Sequence, residues 1–79
     1  MTLEDLLSYA KTEVQNITAD DAEFIVRDLF KGYEWKRISR NDRNVLGKMF
    51  FDWSKGSGSN IVTPTSKTQQ NQQKYKKSN

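Results

Sequence analysis

The chain has 79 residues, 34% of them hydrophobic, with 13 Lys or Arg against 10 Asp or Glu and with no cysteine or histidine. That length allows one small domain whose core is barely sufficient, and the composition excludes disulfide staples, thiol chemistry and histidine-based metal sites or general bases. The longest apolar runs are too short for a membrane span or a signal-peptide core, so a soluble cytoplasmic protein is expected.

The net charge of +3 hides a polarity along the chain. Up to Phe30 seven acids stand against Lys11 and Arg27, whereas from Lys31 onward eleven Lys or Arg face only Glu34, Asp42 and Asp52. A basic half joined to an acidic half predicts one polyanion-binding surface rather than a molecule wrapped by nucleic acid.

Taken in order, Thr2 is an N-cap followed by Glu4 and Asp5, and Leu3, Leu6, Leu7, Ala10, Val14 and Ile17 recur at helical spacing, predicting a helix over 3–16. Residues 18–23 read as a loop in which Asp20 and Asp21 are solvated. Phe24, Ile25 and Val26 predict a short strand. A short helix over 27–32 then stops at Gly32, read as its C′ glycine. Residues 33–38 connect it to the next helix, which is the helix-turn-helix order with a connection longer than the usual tight turn. In this connection Tyr33 and Trp35 stand beside Lys31, Lys36 and Arg37 as candidate stacking platforms for bases.

The segment 39–54 carries the strongest pattern. Ser39 caps it, and Val45, Leu46, Met49, Phe50 and Trp53 form an apolar face. On the other side Arg40, Asn44 and Lys48 fall at four-residue steps with Asn41 and Arg43 beside them, so cations and side-chain amides lie together, as phosphates and base edges require. Gly47 within this helix costs about 1 kcal/mol relative to alanine, for which close approach of the short helix, ahead of close approach of a nucleic-acid backbone, is the expected reason.

Beyond Lys55 the run Gly56, Ser57, Gly58, Ser59 reads as a flexible connector, and Ile61, Val62 and Thr63 as a strand closed by Pro64. Residues 65–79 are polar and basic. Pairing of 72–77 with 61–63 would make a hairpin wing, and the other reading is a disordered basic segment. A short first wing strand with a largely disordered tail is expected, dividing the chain into a domain over 1–63 and a tail over 64–79.

The run 26–35, then Ile38, Ser39, Arg40, Asp42 and Arg43, and finally Lys67, Thr68, Asn71, Gln72, Tyr75 and Lys76 resemble a family of small proteins of unknown function from Gram-positive mobile elements and phages. They are similar in particular to the single-stranded-DNA-binding members carried by staphylococcal cassette chromosome elements. The resemblance implies a winged helix-turn-helix, mainly α with a small β wing, that binds DNA without catalysis. It also implies that the tail motif Lys67, Asn71, Gln72, Tyr75 and Lys76 serves a partner such as a replication or host defence protein. No P-loop, dinucleotide fingerprint, nucleophile elbow or zinc spacing occurs in the sequence. No catalytic residue, metal or cofactor is therefore expected. Two functions stand: a nucleic-acid-binding protein that takes DNA, single-stranded by preference, on the basic helix, and a protein-interaction adaptor or inhibitor on the same scaffold.

Overall fold

The computed structural model describes residues 2–17 and 23–77, so most of the predicted 18–23 loop, with Asp20 and Asp21, and the last two residues of the predicted tail lie outside the described residues. Helix α1 spans Leu3–Val14, strand β1 Glu23–Phe24, a 3-10 segment Val26–Leu29, helix α2 Gly32–Arg37, helix α3 Arg40–Lys55, and strands β2 and β3 Val62–Lys67 and Gln73–Lys77. The strands form one antiparallel sheet in the order β1-β3-β2.

Local chemistry sets the ends of the two long helices. The Asp5 N–H donates to Thr2 Oγ1 at 3.1 Å while the Thr2 N–H donates to Asp5 Oδ2 at 3.2 Å, a reciprocal cap that satisfies two backbone donors. Ser39 Oγ accepts from the Asp42 N–H at 3.1 Å in the same way. Leu6, Ala10 and Val14 of α1 and Leu46 and Phe50 of α3 are buried and belong to one core. Burying a leucine or phenylalanine contributes about 1.5–3 kcal/mol, which outweighs the roughly 1 kcal/mol lost at Gly47. The buried stripe of α3 is narrower than the predicted face: Ser54 is inside, donating to the Phe51 carbonyl, while Val45 is 37% exposed.

Two boundaries differ from the sequence expectation. The predicted strand over 24–26 ends at Phe24, because the chain turns into the 3-10 segment, where Asp28 Oδ2 accepts from the Ile25 N–H at 3.1 Å. Gly32 ends nothing. It is the first residue of α2, since Phe30 is extended and Glu34 Oε1 accepts from the Lys31 N–H at 3.2 Å, starting a new helix there. Tyr33 and Trp35 are therefore helical. Only buried Ile38 and the cap Ser39 separate α2 from α3, so the turn is tight.

The C-terminal segment departs furthest from expectation. Residues 73–77 are not disordered but form the central strand of the sheet, with Tyr75 opposite both Phe24 and Pro64. The expected boundary at 63/64 falls inside β2, and both sides of it share the sheet. Pro64 does not close its strand; β2 lies at the sheet edge, where a missing N–H is tolerated. Tyr75 is 1% exposed, its ring edge-on to Phe50 at 4.8 Å and tilted on Phe24 at 5.9 Å. Lys77 Nζ donates to the carbonyls of Ile17 at 2.6 Å and Gln15 at 3.2 Å, which places a cation at the C-terminal end of α1.

Burial, with Asp52 adding, pushes the Tyr75 hydroxyl pKa up to about 12. The unfolded chain, with its tyrosine near the ordinary value of about 10, then loses this proton first as pH rises. Stability present below pH about 10 should fall by roughly 2–3 kcal/mol by pH about 12. Denaturant midpoints of the chain and of its Tyr75→Phe variant compared at pH 9 and pH 12 measure this, because the lysines titrate in both; an equal fall in the two would refute it.

The turn regions also have specific structure. In the β2–β3 turn the Asn71 N–H donates to the Thr68 carbonyl at 2.9 Å and the Thr68 N–H to that of Gln72 at 2.8 Å, leaving Asn71 at φ 66°. Asparagine tolerates this left-handed conformation better than most residues. The 56–59 run is not a loose connector. Gly58 is buried, its N–H donates to the Trp53 carbonyl at 2.8 Å, and a Cβ there would lie 2.5 Å from two atoms of the Trp53 ring. That ring is held against Phe50 at 5.2 Å with the Lys11 ammonium 5.5 Å from its centroid, so it cannot withdraw cheaply. Gly58→Ala should destabilise the fold by about 1–3 kcal/mol, read as a lower urea midpoint; an unchanged midpoint would show that the turn yields.

Candidate nucleic-acid interface

The N-terminal half of α3 presents Arg40, Asn41, Asn44 and Lys48 to solvent. Arg43 is different. Its Nε and Nη2 donate to the Trp35 carbonyl at 3.1 and 2.8 Å, and its guanidinium lies 5.2 Å from the Trp35 ring centroid. This fork uses a carbonyl from the last turn of α2, so Arg43 locks α2 onto α3 and covers the ring. Phe30 is tilted against the same indole at 5.7 Å. Trp35 is thus part of the packed frame, not an open stacking platform.

Between the 3-10 segment, α3 and the β2–β3 turn lies a cleft of about 450 Å³. Arg27, Arg40 and Arg43 line it together with Trp35 and Asn44, and Gln70, Gln72 and Gln73 enter from the turn. No carboxylate lines it among the described residues. Gly47 is in its wall, and a Cβ there would meet nothing within 4 Å, so the expected close approach of a helix is absent. Gln73 is partly committed, its Nε2 donating to the carbonyls of Thr65 at 3.2 Å and Ser66 at 3.3 Å across the irregularity in β2.

The remaining predicted cations do not share this cleft. Lys36 and Arg37 are exposed on the last turn of α2, and Arg37 belongs with Tyr33, Glu34 and Asp42 to a second cleft of about 330 Å³ against α1. Tyr33, 60% exposed, is the one predicted stacking ring that is open. In that second cleft Tyr9 Oη donates to Glu13 and Glu34 at 3.4 Å each, and burial together with the two carboxylates raises its pKa. Those acids make the second cleft the poorer place for a polyanion.

The predicted partner motif is also redistributed. Tyr75 is in the core, so it is not a displayed docking side chain; Asn71 is exposed on the turn, Lys67 is exposed on β2 and Lys76 half-buried on β3, while Gln72 lines the arginine cleft. Arg27, Gln70 and Gln73 were missing from the sequence-derived site. Arg27 is embedded in the acidic half, and the glutamines join the site only if 72–77 pairs as a hairpin, the one sequence signal that could have found them.

Among the described residues no helix is long and apolar enough to cross a membrane, and no group of three or more acidic side chains is placed to hold a metal ion. The family described as a domain of unknown function, DUF1413, matches residues 8–77. The chain belongs to the DUF1413 family. The match runs from within α1 to the last residue of β3, so the DUF1413 unit contains the whole arginine cleft and both sides of the 63/64 position. No curated protein and no solved structure matches this DUF1413 chain.

Proposed function

We propose that this DUF1413 domain is a non-catalytic, cytoplasmic DNA-binding protein of a mobile element or phage, built as a winged helix-turn-helix and preferring single strands. Arg27 and Arg40, exposed around one cleft that no carboxylate lines among the described residues, carry this reading. The winged-helix assignment is supported by the element order, a helix, a short strand, two helices joined by a tight turn and then a hairpin, with the first strand pairing to the last. The mobile-element origin is supported by the sequence resemblance alone.

Single strands are favoured because a cleft of this size takes an unstacked nucleotide, whereas a base within a duplex cannot enter it. Exposed Tyr33 adds a ring on which a further base can stack. Matched single-stranded and duplex oligonucleotides titrated at two salt concentrations test this. Tighter single-strand binding that weakens steeply with salt is expected. Salt-insensitive binding of a protein partner with no DNA binding would favour the adaptor reading instead.

A further inference from the structure

Gly47 is a mid-helix glycine that the packing does not explain. Glycine there lowers helix stability relative to alanine, yet a Cβ would meet no atom within 4 Å, so neither a neighbouring helix nor the sheet requires its absence. It lines the arginine cleft, opposite the hairpin turn that carries Gln70 and Gln72 and one turn of α3 beyond Asn44 and Arg43. A bare stretch of helix backbone in a cleft wall admits a flat group to contact distance.

Resting on the DNA-binding reading, we infer that this cleft is a subsite for one unstacked nucleobase, which lies on the α3 backbone at Gly47 with its edge toward the amides of Asn44, Gln70 and Gln72. Each amide presents a donor and an acceptor side by side, the pattern that base edges match. Arg27 and Arg40, exposed at the cleft rim, take the flanking phosphates. Arg43 remains on the Trp35 carbonyl and closes the inner wall. The β2–β3 turn thereby contributes a wall of the site, with the left-handed Asn71 setting the path of the chain beside Gln70 and Gln72.

The test compares oligo(dT) with a base-free phosphodiester strand of equal length, using the full chain and its Gly47→Leu variant. Leucine fills the cleft while improving helix propensity, so the variant should melt at or above the unmodified chain. The unmodified chain should prefer the base-bearing strand by about tenfold or more, as one stacked base warrants. Gly47→Leu should erase that preference and leave the salt slope unchanged. Equal binding of both strands by the unmodified chain overturns the subsite while DNA binding stands, and this arm does not depend on the variant folding. A preference retained in Gly47→Leu also overturns it. Failure of the unmodified chain to bind either strand overturns the DNA-binding reading itself.

Discussion

A chain truncated after Gln72 should not fold. The loss removes β3 from between β1 and β2, so both remaining strands are left without their ladder partner. It removes Tyr75, whose ring fills the space between Phe50 and Phe24, and the Lys77 ammonium that satisfies the carbonyls of Gln15 and Ile17. Deleting one buried aromatic costs about 3–5 kcal/mol, against a total stability of roughly 5–15 kcal/mol for a typical domain. At 79 residues this chain is expected near the lower end of that range. Far-ultraviolet circular dichroism through a thermal ramp reads the outcome. A cooperative transition in the truncated chain would mean that β3 is dispensable, whereas Tyr75→Ala alone should lower the midpoint markedly.

Replacing Arg27 and Arg40 together by alanine should lower single-stranded DNA affinity more than tenfold at about 0.15 M salt and reduce the salt slope by roughly 1.4, two contacts at about 0.7 each. Both side chains are exposed, so the thermal midpoint should stay near that of the unmodified protein. The pair Arg40 and Arg43, the two arginines of the predicted basic helix, is the poorer choice. Arg43→Ala deletes two hydrogen bonds and a ring contact that hold α2 on α3, so lost binding would be confounded with lost stability. Unchanged affinity in the Arg27 and Arg40 double variant, with the unmodified protein binding DNA, would place the phosphates elsewhere on the surface.

Several features were legible in the sequence because they depend on bonds within one or two helical turns. The Thr2 and Ser39 caps, the four-residue spacing of Leu6, Ala10 and Val14, and the cation and amide face of α3 are all local patterns. The short helix was not: the predicted one over 27–32 is a 3-10 segment over Val26–Leu29, and α2 occupies most of the predicted connection 33–38. Gly32 carries the residue type of a helix stop, and only the Glu34 cap and the packing of Trp35 between Phe30 and Arg43 decide that a helix begins there.

By itself, then, the sequence determined the two long helices, the separation of acidic from basic residues and the absence of thiol and imidazole chemistry, since each follows from composition or from near neighbours along the chain. Tertiary structure alone decided that a polar lysine- and glutamine-rich segment is a central strand. Its one large ring is buried by Phe24 and Phe50, distant in the chain, and its backbone is satisfied by strands from both sides, neither of which a local window contains. The same pairing carries Gln70 and Gln72 to Arg27, Arg40 and Gly47, so the cleft exists only once β3 is in place.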